Sequence, residues 1–237
     1  MDIRLGVRID HVHRDADGLV VTLDDGTELR PDKLLFASGR SGNTEGLGLH
    51  KAGVEIDDRG RIVVDDRYRT TAPGIYAAGD VIGPPALASA AMEQGRIAVC
   101  DAFGIPGIDA VDAVIPTGVY SIPEVAGVGL TEQEAAQRGI DYEVGRGRFS
   151  SNSRGNISGA TEGLVKLVFR RDDRTLLGAH ILGEVASELI HIGQAALHHK
   201  DTIDYFLDTT FNVPTYAEAY KYAAYDGLAR LEATSTQ

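Results

Sequence analysis

Apolar and polar positions alternate over residues 1–40 in a pattern of short strands. Asp2–Asp10 alternates the two classes, Gly18–Leu23 reads GLVVTL, and Asp24-Asp25-Gly26 is a hairpin signal leading into Thr27–Leu29. Lys33–Ser38 reads KLLFAS, nearly all apolar, which predicts a strand buried on both faces before Gly39-Arg40. The prediction is an antiparallel meander with too little surface of its own to be stable without a partner. From 41 to 69 the pattern is loop-rich, with a second hairpin signal at Asp57-Asp58-Arg59-Gly60. Gly74–Ala78 then reads as a short apolar strand tipped by Gly79-Asp80, followed by Gly83-Pro84-Pro85. A helical period runs from about Leu87 to Phe103. It places Leu87, Ala91, Ala98 and Ala102 on one face with Met92 and Val99 beside them, and Gly104-Ile105-Pro106-Gly107 stops it.

Residues 108–116 read as a linker into a second domain. Strands are predicted at Thr117–Ile122, Tyr142–Phe149, Gly163–Phe169 and Thr175–Leu182. Thr131-Glu132-Gln133-Glu134 fits a capping box opening a helix that runs to about Arg138. Longer helices are predicted at Val185–His199 and Tyr216–Leu231, ahead of a polar tail, Glu232–Gln237. Strands packed on a helix pair make an α+β domain.

Composition narrows the function classes. The 237 residues are 43% hydrophobic and 24% charged, as in a soluble globular protein with one large or two medium domains. A net charge of −12 with interspersed signs disfavours nucleic acid and membrane surfaces as partners. The apolar runs are too short to span a bilayer, and the first residues lack an apolar signal core, so the expectation is a cytoplasmic protein. The single cysteine, Cys100, excludes a disulfide within the chain and reads as a buried, inert thiol. The seven histidines are scattered, with no metal-ligand spacing; His191, one turn from Glu188, stands out among them. Gly127-Val128-Gly129-Leu130-Thr131-Glu132 approaches a dinucleotide fingerprint, but Glu132 stands where the third glycine belongs and the capping box already explains the helix start.

The chemistry concentrates in Thr70–Arg96. A small-residue turn lets a ligand approach the backbone, Asp80 can accept hydrogen bonds from sugar-like hydroxyls, and a helix start supplies unpaired N–H groups at a positive dipole end. Such a site suits a polyhydroxylated ligand with a partial negative charge.

Thr70-Thr71-x-Pro73-Gly74-Ile75-Tyr76-Ala77-Ala78-Gly79-Asp80 resembles the second flavin-binding motif of the two-dinucleotide-binding-domain flavoproteins, the pyridine nucleotide–disulfide oxidoreductase family. Gly39-Arg40-x-Gly42-Asn43-Thr44 resembles the segment leaving that family's NAD domain, and Ile115-Pro116-Thr117 with Pro123-Glu124-Val125 resembles the start of its dimerisation domain. The resemblance covers nearly the whole chain. It implies the C-terminal half of such an enzyme, without the two Gly-rich βαβ units. Residues 1–40 would be the end of the NAD(P)-binding domain, 41–112 the C-terminal part of the FAD-binding domain, and 113–237 the dimerisation domain. The implied fold class is α/β and α+β: a meander plus a FAD-facing strand and helix, then an α+β dimerisation domain.

Three segments are similar to the transhydrogenase subgroup of that family: Leu87–Arg96, Glu188–Ala195 and Thr209–Tyr220. Where disulfide-reducing members carry His-Pro-Thr-x-x-Glu, this chain reads Val213-Pro214-Thr215-Tyr216-Ala217-Glu218. Valine cannot transfer a proton, so the resemblance implies hydride exchange between NADPH and NAD through FAD, without a thiol relay. It implies that Asp80 binds the ribityl or phosphate side of FAD, that the backbone at Leu87, Ala88 and Ser89 faces the pyrimidine edge of the ring, that Thr70 and Gly79 shape the approach, and that Arg40 lies near the cofactor. The main NAD(P) site would lie outside the chain, no residue here would be catalytic, and the chain alone would be inactive. A homodimer through the C-terminal domain is implied, with helix faces around Leu189 and Tyr220 as its expected contacts. A dihydrolipoamide dehydrogenase-like or mercuric reductase-like member, and a non-enzymatic dimerisation module, remain open alternatives.

Overall fold

β1 (Ile9–Asp15) pairs antiparallel with β2 (Gly18–Leu23), and β2 with β3 (Glu28–Leu29), in a three-stranded sheet. The computed structural model describes residues 2–107 and 109–235. The first residue of the 108–116 linker and the last two of the polar tail lie outside them. The meander begins later than the alternation in Asp2–Asp10 predicts. A turn at 16–17 is responsible: the Asp15 carboxylate accepts the N–H groups of Asp17 (2.9 Å) and Gly18 (3.0 Å), which sets Asp15 opposite Gly18 and brings Ile9 to Leu23. The second turn closes as its Asp-Gly signals, with Gly26 at φ 82° and the Leu23 N–H donating to Thr27 O at 2.9 Å.

Lys33–Ser38 forms no ladder with any described strand, and Leu35 is 89% and Phe36 72% exposed. The expected doubly buried strand is therefore overturned. Such burial needs ladder partners and a packed layer on each face of the sheet, and the three-stranded sheet ends at β3. Between residues 41 and 87 the chain is held by single bridges, Ile56↔Ile62, Val64↔Thr70 and Arg69↔Tyr76, rather than ladders. Gly74–Ala78 is thus an extended segment with one bridge, not a regular strand. Its small core is Val54, Ile62, Ala72 and Ala77.

α1 (Ala88–Phe103) starts and stops as expected, with Leu87 at its N-cap and Gly104 in the left-handed region at its C-cap. Its buried face is Ala90, Gln94, Ile97 and Ala98, while Met92 and Val99 are exposed. The expected stripe is rotated because a run rich in alanine gives little contrast between faces. Cys100 is half-buried rather than sealed.

The second domain is a five-stranded antiparallel sheet in the order β4 (Thr117–Val119), β5 (Val125–Gly129), β8 (Leu176–Leu182), β7 (Leu164–Arg170), β6 (Tyr142–Arg148). β4 stops short of Ile122, and the predicted strands omit β5, where Gly127 and Gly129 dilute the apolar pattern. α2 (Glu132–Gln137) carries the capping box: the Glu134 N–H donates to Thr131 Oγ1 (3.2 Å) and the Thr131 N–H to Glu134 Oε2 (2.8 Å). Short helices α3 (Ser153–Ser158) and α5 (Asp204–Asp208) are absent from the predicted elements. α4 (Ala186–His199) and α6 (Glu218–Ser235) cover one face of the sheet, and α6 extends through the start of the predicted tail. α6 lies directly on β6, where a Cβ at Gly145 or Gly147 would overlap its carbonyls.

Phe149, Leu167, Phe169, Ile181, Phe206 and Tyr220 are sealed in this core. The Tyr220 ring stacks on Phe206, and its hydroxyl donates to Leu189 O at 2.9 Å while accepting the Gly193 N–H at 3.1 Å. Burial pushes the Tyr220 phenol well above its usual range. Tyr220 therefore cannot contact a second subunit, which overturns that part of the expected interface, and Leu189 packs partly on the same core.

Candidate functional site

Gly79 sits at φ 84°, ψ −159°, a backbone state that only glycine adopts freely. Its carbonyl accepts the Ile82 N–H at 3.0 Å and starts a single 3₁₀ turn, Asp80–Ile82. That turn swings the Asp80 carboxylate toward Arg40, with Oδ2 3.4 Å from Nε. The two face a cavity of about 580 Å³ that Arg59, Arg61, Gly83 and Ala86 also line. Arg61 is pinned: its Nε donates to Asp57 Oδ2 at 2.7 Å, and Asp57 Oδ1 accepts the N–H groups of Arg59 and Arg61 at 2.9 Å each. The Arg61 side chain, then its backbone N–H, hold the Asp57 carboxyl down to about 2. The Thr44 hydroxyl donates to Gly60 O at 2.7 Å, which docks the segment carrying Arg40 onto the same hairpin.

The chain runs from Ala86 on the cavity wall directly into α1. Leu87 offers no side-chain cap and the first turn carries no acid, so the first N–H groups of the helix stay open. Ala88 and Ser89 are exposed there. Ser89 borders a second cavity, about 350 Å³, which Glu93, Asp112, Tyr120 and His191 also line. The His191 ring Nδ1 lies 2.8 Å from Gln194 Oε1, so this histidine is engaged within its own helix. Two side-chain links hold α1 to the preceding segment. The Asp101 carboxylate accepts hydrogen bonds from the Arg69 guanidinium and from the Tyr76 hydroxyl (2.7 Å), and these, Arg69 first, hold it down to about 2. The Gly79 N–H donates to Gln94 Oε1 at 2.7 Å in a buried setting.

Of the residues singled out in the sequence, Arg40 and Asp80 meet at the first cavity, Gly79 shapes the turn, and Leu87, Ala88 and Ser89 form the adjoining helix start. Thr70 does not line this cavity; its hydroxyl donates to Ile75 O at 2.9 Å and closes the Thr70–Ile75 turn. Arg59, Arg61 and Gln94 are additions that sequence reasoning missed. The Asp57…Arg61 spacing across a hairpin signal could have pointed to the arginines, and a lone glutamine between Ala90 and Ile97 could have pointed to Gln94. The arrangement offers a carboxylate to ligand hydroxyls, guanidinium groups to phosphate, and open N–H groups to a carbonyl edge. Among the described residues no cluster of His, Cys, Asp or Glu could hold a metal ion, and no helix is long and apolar enough to cross a membrane.

The chain is 47% identical over 232 residues to the soluble pyridine nucleotide transhydrogenase of Marinomonas sp. (strain MWYL1), covering 97% of this chain and 50% of that protein. The protein of the same name from Mycobacterium tuberculosis (strain ATCC 25177 / H37Ra) is 45% identical over 230 residues, covering 97% of this chain and 49% of that one. The chain thus spans about half the length of the curated relatives it matches. Among solved structures, the HOCl-induced flavoprotein disulfide reductase RclA from Escherichia coli superposes with a TM-score of 0.79 at 27% identity, over 92% of this chain and 50% of that chain. The family model for pyridine nucleotide-disulphide oxidoreductase matches residues 1–95, and the model for the dimerisation domain of pyridine nucleotide-disulphide oxidoreductase matches residues 115–224. The chain belongs to the pyridine nucleotide-disulphide oxidoreductase family.

Proposed function

We propose that this chain supplies one side of the FAD site, together with the dimerisation domain, of a soluble transhydrogenase that passes hydride from NADPH to NAD. The observation that carries the reading is the meeting of Asp80 and Arg40 at one cavity, whose wall at Ala86 leads in the chain directly into the uncapped start of α1. The family is FAD- and NAD(P)-dependent, and a carboxylate, guanidinium groups and open helix N–H groups are donors and acceptors suited to such a cofactor. Asp80 would accept hydrogen bonds from ribityl hydroxyls, Arg40 and the neighbouring arginines would face the diphosphate, and the backbone at Leu87, Ala88 and Ser89 would face the ring. Bound FAD supplies reversible hydride acceptance at its ring. The protein's own part is to bind and orient it, and to offer positive dipole where negative charge develops.

Val213 supports the transhydrogenase reading over a disulfide reductase. An aliphatic side chain, 60% exposed, occupies a place from which a thiol relay would need a proton carrier. The reading divides the chain at 1–40, 41–112 and 113–237 and takes the dimer to form through the last part. It places the protein in the cytoplasm, with no nucleic-acid partner, and locates the main NAD(P) site on residues beyond this chain.

The test is a fusion of the N-terminal half of the Marinomonas relative to this chain. The expected result is a colourless 237-residue chain and a yellow fusion that reduces thio-NAD with NADPH. A fusion that reduces disulfide substrates, or that holds no flavin, would contradict the reading.

A further inference from the structure

Gln94 is the only polar side chain on the buried face of α1, and it is 3% exposed. Burying a carboxamide is unfavourable unless its polar atoms are bonded. Here a single bond satisfies its oxygen. Because the Gly79 N–H is the donor, the carboxamide must present its oxygen to Gly79, and its NH₂ has no protein partner among the described residues. The Gly79 N–H in turn has no other acceptor: it takes part in no bridge, and it precedes the 3₁₀ turn rather than closing it.

The consequence is positional. The Gly79 carbonyl accepts the Ile82 N–H and the Asp80 carbonyl accepts the Gly83 N–H, so Gly79–Gly83 moves as one turn carrying Asp80. This turn is joined to the helix by the Gln94 bond and by packing, since a Cβ on Gly79 would already touch the Ala91 methyl at 3.5 Å. The Asp101 link cannot replace that bond, because it ties α1 to Arg69 and Tyr76 and leaves the turn untouched. We infer that Gln94 is a positioning residue that fixes the Asp80 turn relative to the N-terminus of α1, so that carboxylate and helix N–H groups engage one ligand together. Only the identity of that ligand rests on the flavin reading above.

The experiment uses the 237-residue chain with Gln94→Leu, which keeps size and removes the acceptor, and Gln94→Glu, which keeps an acceptor. Amide exchange is read by NMR without ligand. FAD is then titrated to millimolar concentration while the amide shifts of Asp80 and Ser89 are followed. Gln94→Leu should speed exchange at Gly79, Ile82 and Gly83 by roughly 100-fold while Ile97–Cys100 stay protected. It should also weaken the common FAD response of Asp80 and Ser89 by about tenfold. Gln94→Glu should restore both. Unchanged exchange at Gly79 in Gln94→Leu would overturn the inference, as would faster exchange with undiminished FAD affinity. If FAD moves neither shift in the unaltered chain, the half-site does not hold the cofactor without the rest of the enzyme, as the colourless chain anticipates, and the flavin reading is decided on the fusion. The inference is then decided by exchange alone, upheld by local acceleration with rescue in Gln94→Glu and overturned without it.

Discussion

The middle and the C-terminal part of the chain keep their shape by different means. Residues 115–235 enclose a core of sealed aromatics and aliphatics between a sheet and two helices. Residues 41–112 bury a far smaller cluster and are held by hairpins, single bridges and ion pairs around a solvent-facing cavity. The lesson is a division of labour. The first kind of structure stores stability in packing, while the second aims polar groups at a space and relies on local hydrogen bonds to keep them aimed.

Mutations should separate the two kinds. Phe206→Ala removes a sealed ring stacked on Tyr220 and should cost about 3–5 kcal/mol in chemical denaturation followed through the C-terminal sheet. Asn152→Ala should cost roughly 1–3 kcal/mol. The fully buried Asn152 accepts the Arg154 and Gly155 N–H groups and donates from Nδ2 to Thr215 O at 2.9 Å, so the same variant should raise hydrogen exchange across 213–217. Thr131→Ala, which breaks the capping box, should cost about 1 kcal/mol in the same assay.

Acid should act on the ion-paired region. The folded-state pKa of Asp101 is depressed from 3.8 to about 2, so its contribution is present above the unfolded value and lost as pH falls between the two. Asp101→Asn should flatten that part of the pH profile of α1 amide protection, and a profile unchanged by the substitution would remove Asp101 from the account. The smallest effect belongs to Leu35→Ser, ahead of both regions, which should leave stability within about 0.5 kcal/mol and improve solubility; a large loss there would show that the segment before residue 41 holds its apolar groups more tightly than their exposure implies.

What was legible in the sequence follows the same division. The capping box, α1, α4 and most of the second sheet were readable because local propensity and tertiary packing agree there. The Asp80 turn was readable because Gly-Asp before a helix is a local arrangement. Lys33–Ser38 misled because apolar composition reports a preference for burial, and only ladder partners with a layer packed on each face provide it. β5 was hidden by its glycines, and the buried face of α1 by its alanines. Tyr220 illustrates a further limit: a helix stripe does not say whether it meets the chain's own sheet or another subunit. Arg61 and Gln94 were out of reach for a third reason, since their importance lies in contacts to backbone and carboxylate groups that only the fold brings near.

The central claim is that Asp80 binds the cofactor rather than merely ending a turn. Its most direct test is the flavin content of the fusion protein, comparing the unaltered chain with Asp80→Ala. Stoichiometric FAD is expected in the former and a loss of affinity of about 10- to 100-fold in the latter, as for a lost hydrogen bond to a charged group, with melting of the C-terminal sheet unchanged. Equal flavin retention by the two proteins would contradict it.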